Sequence, residues 1–315
     1  MSAVKLRNRH LLGLEGMSKE EVNLILDTAV SFKEVLERPI KKVPPLQGKT
    51  IVNLFFEPST RTRISFELAE RRLSADVVSF ATAGSSVSKG ETLKDTARNI
   101  EAMKIDMVVI RHSAAGAAHF LSRVVAANVI NAGDGAHEHP TQALLDMFTL
   151  REKHGSLEGL KVCIVGDILH SRVARSNIFG LKTMGADVSL CGPATLIPRG
   201  IEKLGVKVYH DLEEVVPHVD ALNVLRIQLE RQKGGFFPSL REYHRFFGVT
   251  KDKVARASKP ITIMHPGPIN RDVELSADLA DSEHSVILQQ VTNGVAIRMA
   301  VLYLLGTMNQ ENARV

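Results

Sequence analysis

The chain has 315 residues, with 40 basic and 35 acidic side chains and a formal net charge of +5. The charges are interspersed and form no dense basic tract, so nucleic-acid binding is not indicated. The small positive excess fits anionic small substrates, although solubility alone would also account for it. With 44% hydrophobic and 24% charged residues, the composition suits a soluble protein with two domains and sizeable cores. Cys163 and Cys191 both lie in apolar runs and read as buried free thiols with no metal spacing, which fits a reducing cytoplasm. The segment Met1–His10 lacks the apolar centre of a signal peptide, and no uninterrupted apolar run approaches the length of a membrane span. A cytoplasmic chain that engages neither membrane nor nucleic acid is therefore expected.

In chain order, the first predicted helix runs from Ser18 to Glu37. Ser18 caps it, Glu21 stands three residues on, and Val22, Ile25, Leu26, Ala29 and Leu36 build an apolar side. Ile51-Val52-Asn53-Leu54 reads as a buried strand that Pro58 stops. Ser59 or Thr60 then offers an N-cap, and Ile64, Phe66, Leu68, Ala69 and Leu73 supply the apolar positions of the next helix. The turn carries the hydroxyls of Ser59, Thr60 and Thr62 with the guanidiniums of Arg61 and Arg63. Free N–H groups and the positive dipole end at a helix N-terminus bind an anion of phosphate size. Arg61 adds a planar fork suited to phosphate oxygens. An ordinary capped helix with surface arginines is the plainer alternative, and five polar residues in a row at a strand-to-helix turn weigh against it.

Asp76–Phe80 is a predicted strand, followed by the loop Ala83–Thr92, which includes Ser85 and Lys89 and taken alone reads as a solvated surface loop. A helix is predicted over Glu91–Met103, a strand over Ile105–Ile110 ending at Arg111-His112, a helix over Ala115–Ala127 and a short strand over Val129–Asn131. A Gly-rich loop, Gly133-Asp134-Gly135, then leads through His137-Glu138-His139 into a helix beginning near Pro140. One His-x-His with no further ligand cluster is a weak metal signal, and His139 reads better as a hydrogen-bond donor to a substrate oxygen. The helix that follows, containing Gln142, could bridge two domains.

The pattern then restarts. Strands are predicted over Lys161–Val165, Asp187–Leu190, Val206–Tyr209, Ala221–Leu225 and Pro260–Met264, with a helix from Ser171 or Val173 to Met184. Alternating strands and helices argue for parallel sheets with helices on both faces. The expected fold class is α/β, with two doubly wound parallel-sheet domains joined by bridging helices: residues 1–149 plus 293–315, and residues 150–292. The last helix, Asn293–Leu305, is apolar on all sides and is expected to be buried. Ligands in such sheets sit at the carboxyl ends of strands, where this sequence places Ser59-Thr60-Arg61-Thr62, Arg111, His139, Arg172, Arg226 and His265-Pro266-Gly267-Pro268. The polar segment Arg226–Pro238 reads as either a surface excursion or a closing lid.

The run Phe55-Phe56-Glu57-Pro58-Ser59-Thr60-Arg61-Thr62-Arg63, together with Lys89-Gly90-Glu91-Thr92, Arg111-His112, His139-Pro140-Thr141-Gln142 and His265-Pro266-Gly267-Pro268, resembles the carbamoyltransferase family across nearly the whole chain. The segment Arg226-Ile227-Gln228 followed by Glu230-Arg231 resembles the aspartate-specific lid of that family. The Ser-Met-Gly loop and His-Cys-Leu-Pro segment of the ornithine-specific members have no counterpart here. The resemblance implies transfer of a carbamoyl group from carbamoyl phosphate to the α-amine of L-aspartate, an early step of pyrimidine synthesis, with no metal or organic cofactor. It implies that Ser59, Thr60, Arg61 and Thr62 hold the phosphate and that Thr62, Arg111 and His139 polarise the carbamoyl oxygen. It further implies that Gln142 and the carbonyls of Pro266 and Gly267 hold the carbamoyl amide, and that Lys89, Arg172, Arg226 and Gln228 hold aspartate. Glu57 would orient arginines such as Arg172 and Arg231. The family forms trimers, so Ser85 and Lys89 would reach a neighbouring subunit's site, and regulatory chains or a dihydroorotase are conceivable partners. Gly267 stands where some relatives carry leucine; a role for the backbone carbonyl is indifferent to that change.

Three rivals stand beside this reading. A nicotinamide dehydrogenase would need further glycines after Gly166, which Gly166-Asp167-Ile168-Leu169-His170-Ser171 lacks. A catalytically inactive carbamoyltransferase-like scaffold, or a carbamoyltransferase for another amino acid, differs in activity or substrate.

Overall fold

The computed structural model describes residues 4–81, 92–228 and 239–312. Its elements in order are α1 (Lys19–Glu37), β1 (Thr50–Phe55), α2 (Thr60–Arg72), β2 (Asp76–Ala81), α3 (Leu93–Glu101), β3 (Met107–His112), α4 (Ala117–Ser122), β4 (Asn128–Asp134), α5 (Pro140–His154), β5 (Lys161–Val165), α6 (Arg172–Thr183), β6 (Asp187–Cys191), β7 (Lys207–Tyr209), α7 (Leu212–Val215), β8 (Ala221–Val224), α8 (Leu240–Phe247), α9 (Lys251–Val254), β9 (Thr262–Met264), α10 (Ala277–Ala280) and α11 (Ile287–Asn312). The chain forms two compact units, Met1–Leu145 with Thr292–Val315, and Asp146–Val291; the boundaries fall inside α5 and α11.

In the first unit the strand order is β2-β1-β3-β4, all parallel. The chain leaves β1 toward β2 and then returns to the other side for β3. The order therefore reverses between β1 and β3, which opens a crevice at their carboxyl ends. Leu11 pairs with the outer edge of β4, its N–H donating to Val129 O at 3.0 Å. The core is built from Val52, Leu54, Ile100, Val108, Ile110, Leu121 and Val129. Along β1 the residues from Ile51 to Phe55 are buried without alternation, as a strand covered on both faces requires. α1 carries the capping box that its sequence predicts, with Ser18 Oγ accepting from Glu21 N and Glu21 Oε2 accepting from Ser18 N.

The second unit holds β7-β6-β5-β8-β9, again parallel, with the reversal between β5 and β8. Its core includes Cys163, Val165, Cys191, Leu222, Val224, Ile263 and Leu275. Both cysteines are free and buried. Burial pushes the Cys163 thiol up to about 12 and raises Cys191 as well.

Several elements differ from expectation. The helix predicted over 115–127 shrinks to α4. Gly116 adopts a left-handed conformation (φ 82°) and gives its N–H to Asp134, while Val125 and Ala127 enter the core from a turn. α3 begins only after Thr92, whose hydroxyl accepts from Asp95 N. α8 and α9 were not predicted, although Ser239 and Thr250 cap them with bonds from Glu242 N and Lys253 N. α11 starts six residues early, because Gln290, which is polar but buried, continues its first turn beside the exposed Leu288 and Val291. Its stretch Ile287–Met308 is long and apolar enough in composition to cross a bilayer, but two-thirds of the most apolar window is buried. Ala296, Ile297, Met299, Ala300, Leu302 and Leu305 have no exposure, so the apolarity serves protein packing.

Candidate active site

The β1–α2 turn ends its strand at Phe55 and starts its helix at Thr60. Ser59 is the N-cap residue, yet its hydroxyl makes no capping bond. Its carbonyl accepts from Arg63 N at 3.1 Å, which closes the first helical turn. The N–H groups of Thr60, Arg61 and Thr62 then have no acceptor within the helix. No acidic side chain sits in that first turn. A helix start with an unengaged cap hydroxyl and no carboxylate is arranged for an external anion. Thr62 is buried, Ser59 half-buried, and Thr60 and Arg61 exposed.

Arg111 lies at the end of the neighbouring strand, with Phe55 opposite Arg111 in the β1–β3 register. Phe56 N donates to Arg111 O at 2.9 Å. The guanidinium is held on two sides, with Nη2 on Glu57 Oε1 at 3.1 Å and Nη1 on Ala132 O at 3.2 Å. The sequence reading pairs Glu57 with Arg172 and Arg231; its observed partner within the first unit is Arg111, and Arg231 lies outside the described residues. Beside Arg111, burial depresses the pKa of His112, so its ring stays neutral near pH 7 and accepts from Ala114 N through Nδ1.

His139 and Gln142 follow β4, one strand further along the same sheet edge. Both are buried at the start of α5. What sets this loop is Asp134, a residue the sequence reading passed over. Its carboxylate accepts from Gly116 N at 2.7 Å, Asn131 Nδ2 at 2.8 Å and Glu138 N at 3.1 Å, and it pairs with His137 Nδ1 at 3.1 Å. Glu138 in turn accepts from Leu14 N at 2.8 Å and Glu15 N at 3.2 Å. The acidic pair thus folds residues 134–138 into a closed loop before His139. The Gly-Asp-Gly pattern was the available signal, since a short carboxylate between glycines is suited to collecting backbone N–H groups.

Two further supports lie behind α2. Arg298 Nη1 donates to Ser65 Oγ at 2.9 Å and stacks over Phe66 at 5.0 Å. Glu70 is fully buried against Asn53 Nδ2 at 2.8 Å, and burial raises its carboxyl to about 8. Neither was singled out from sequence.

In the second unit, Arg172 is the first residue of α6, buried, directly after the capping Ser171. The preceding turn is braced by Asp167, which accepts from His170 N at 3.2 Å and meets His170 Nδ1 at 2.9 Å. Arg226 and Gln228 follow β8, half-buried. Pro266 and Gly267 follow β9. Gly267 has φ 65°, and its N–H donates to His265 Nδ1 at 2.8 Å. That bond leaves the ring proton of His265 on Nε2, which faces Glu274 Oε1 at 3.2 Å. Glu274 also accepts from Asn270 N at 2.6 Å and Asn270 Nδ2 at 3.2 Å. Glu274 is thus the buried anchor of the His265–Pro268 turn and was not anticipated. Arg172, Arg226 and Pro266 all lie at carboxyl ends of β5, β8 and β9, on either side of that sheet's reversal. Ser85 and Lys89 lie outside the described residues.

A parallel sheet edge bearing a helix start with no acidic residue in its first turn, and a second edge bearing the buried Arg172 and the half-buried Arg226, fit an α/β enzyme for anionic small molecules. The chain belongs to the aspartate/ornithine carbamoyltransferase family: residues 9–152 match its carbamoyl-P binding domain and residues 158–305 its Asp/Orn binding domain. Over 305 residues, 97% of this chain and 96% of its relative, it is 65% identical to the aspartate carbamoyltransferase catalytic subunit of Gemmatimonas aurantiaca. Its structure is similar to that of the aspartate transcarbamoylase of Trypanosoma cruzi in complex with carbamoyl phosphate and aspartate (TM-score 0.84, 30% identity, 93% of this chain and 95% of the other). It is equally similar to the ornithine carbamoyltransferase of Pyrococcus furiosus (TM-score 0.84, 31% identity, 96% and 98%). Backbone similarity therefore does not separate the two substrates, whereas the 65% sequence identity falls on the aspartate side.

Proposed function

We propose that the chain transfers the carbamoyl group of carbamoyl phosphate to the α-amine of L-aspartate, giving N-carbamoyl-L-aspartate and phosphate, an early step of pyrimidine synthesis. The observation that carries this reading is the 65% identity, over almost the full length of both chains, to a relative named for aspartate. The lid segment agrees, since Arg226-Ile227-Gln228 offers a cation and an amide to a dicarboxylate and no acidic partner for an ornithine ammonium.

Ser59, Thr60, Arg61 and Thr62 hold the phosphate, supported by the uncapped start of α2. Thr62, Arg111 and His139 polarise the carbamoyl oxygen, in the manner of an oxyanion hole. The fixed Glu57–Arg111 pair supports this role, because a guanidinium already oriented pays little reorganisation when charge develops. Gln142 and the carbonyls of Pro266 and Gly267 hold the carbamoyl amide. Arg172, Arg226, Gln228 and Lys89 hold aspartate, with Ser85 and Lys89 supplied by a neighbouring subunit of a homotrimer. The amine attacks the carbamoyl carbon, the C–O bond to phosphate breaks, and phosphate leaves; the departing phosphate is the natural acceptor of the amine proton. No covalent nucleophile is required, so juxtaposition (up to about 7–11 kcal/mol) and electrostatics supply the rate. The setting is cytoplasmic, and regulatory chains or a dihydroorotase are candidate partners of the trimer.

The test is a carbamoylation assay on the purified chain with carbamoyl phosphate, offering aspartate and ornithine side by side. Carbamoyl-aspartate alone is the expected product. Product from ornithine alone would overturn the assignment of the lid. No product from either, with the chain folded, would favour an inactive scaffold.

A further inference from the structure

Away from the residues assigned above, the first unit brings together three groups that the sequence keeps apart. His119 of α4, Asp134 at the end of β4 and His137 in the following loop each place one potential ligand atom within 4.8 Å of the others. The imidazole rings of His119 and His137 meet edge to face, 5.5 Å apart at 69°. Both rings line a partly open cavity of about 240 Å³ whose walls also include Leu11 and Gly16 of the N-terminal segment, Ile25 of α1 and Leu305 of α11.

We propose that His119 and His137 bind one borderline divalent transition-metal ion, of which Zn²⁺ is the reference member, with Asp134 holding the His137 ring in its ligating orientation. The tautomer follows from the hydrogen bonds. A carboxylate only accepts, so the contact of His137 Nδ1 with Asp134, at 3.1 and 3.2 Å, places the ring proton on Nδ1 and the lone pair on Nε2. A carboxylate behind an imidazole is the usual outer support of a histidine ligand. Asp134 is itself fixed by Gly116 N, Asn131 Nδ2 and Glu138 N, and is buried. Bracing of the loop explains those bonds. It does not explain a second imidazole set across from His137, its ring nitrogens making no hydrogen bond among the described residues. Two imidazole nitrogens at about 2.0–2.1 Å from one ion lie within about 4.2 Å of each other, so binding requires the His119 and His137 rings to turn toward one another from their edge-to-face contact at 5.5 Å. The cavity leaves room for water to complete a tetrahedron. The thiols of Cys163 and Cys191 compete poorly, being buried in the other unit and kept protonated.

The experiment uses the full-length chain without a histidine tag, stripped with chelator and titrated with Co²⁺ and then Zn²⁺. One saturable Co²⁺ per chain is expected, with a visible d–d band that Zn²⁺ abolishes. His119→Ala and His137→Ala should each weaken Zn²⁺ binding at least tenfold, while His119→Ala leaves carbamoylation by the stripped protein unchanged. Absence of a saturable band, or equal affinity in both variants and the parent, overturns the proposal. Should either variant fail to fold, the parent protein decides: Zn²⁺ should slow modification of His119 and His137 by diethylpyrocarbonate, and unslowed modification counts against the site.

Discussion

Glu138 sits against Gly13 so closely that a Cβ on Gly13 would overlap its carboxylate. The same carboxylate holds Leu14 N at 2.8 Å and Glu15 N at 3.2 Å, and it is buried. The glycine at 13 is therefore a matter of space and not of backbone conformation, and it lets the N-terminal segment lock the loop that precedes His139.

Gly13→Ala should displace Glu138 and strand the buried N–H of Leu14. An unsatisfied buried donor costs about 1–3 kcal/mol. The expected outcome is a stability loss in that range with a fall in kcat, because the 134–138 loop no longer holds His139 in place. Chemical denaturation and steady-state kinetics check the two effects; an unperturbed melt with full activity would show that Glu138 simply swings aside.

Glu57→Gln should weaken the grip on Arg111 without emptying the space. A charge-assisted hydrogen bond contributes about 1.5–3 kcal/mol, so kcat/KM for carbamoyl phosphate is expected to fall by roughly tenfold to a hundredfold. Because the pair is mostly buried, with side-chain exposures of 11% and 20%, a stability loss of about 1–2 kcal/mol is expected alongside. Wild-type kinetics in this variant would mean that Ala132 O alone positions the guanidinium.

Glu70 makes stability depend on pH with a defined sign. Burial raises its carboxyl from the ordinary 4.5 to about 8, so the folded chain keeps a proton that the unfolded chain releases. Its contribution is fully present below about pH 4.5 and is lost progressively as pH rises toward 8. Glu70→Gln removes that loss. The variant should match the parent near pH 4.5 and exceed it by about 3 kcal/mol near pH 7. Denaturation curves at the two pH values settle the matter, and a variant less stable at pH 7 would mean that Glu70 is ionised in the fold.

Glu274→Gln should loosen the His265–Pro268 turn. A glutamine replaces one acceptor oxygen with an NH2 donor, which then faces Asn270 Nδ2 instead of accepting from it. A stability loss of about 2 kcal/mol is expected, with a lower kcat through the carbonyls of Pro266 and Gly267. Loss of activity at full stability would move Glu274 from anchoring to direct chemistry.

The class of fold and the candidate site positions could be read from residue order. Strand-forming runs alternate with helical periodicity, and polar residues with phosphate-binding chemistry fall where strands end. The start of α1 followed from local chemistry, as Ser18 with Glu21 shows, because a cap needs only neighbours three residues away. The ends of α4 and α11 did not, because they depend on distant partners: Asp134 takes the N–H of Gly116, and Gln290 is buried by bonds to His265 N and Asp146 Oδ1.

Residue order alone was enough for two α/β units and for naming Ser59–Thr62, Arg111, His139 and Arg172 as candidates, since these rest on local pattern and side-chain chemistry. Only the tertiary structure decided the groups that hold them: Glu57 on Arg111, Asp134 and Glu138 around the His139 loop, and Glu274 beneath His265. Apart from Asp134, which its flanking glycines mark, these are carboxylates whose neighbours in sequence do not disclose their partners. A buried carboxylate acquires its role from the donors that folding delivers to it, and those come from residues up to more than a hundred positions away, as Leu14 does for Glu138.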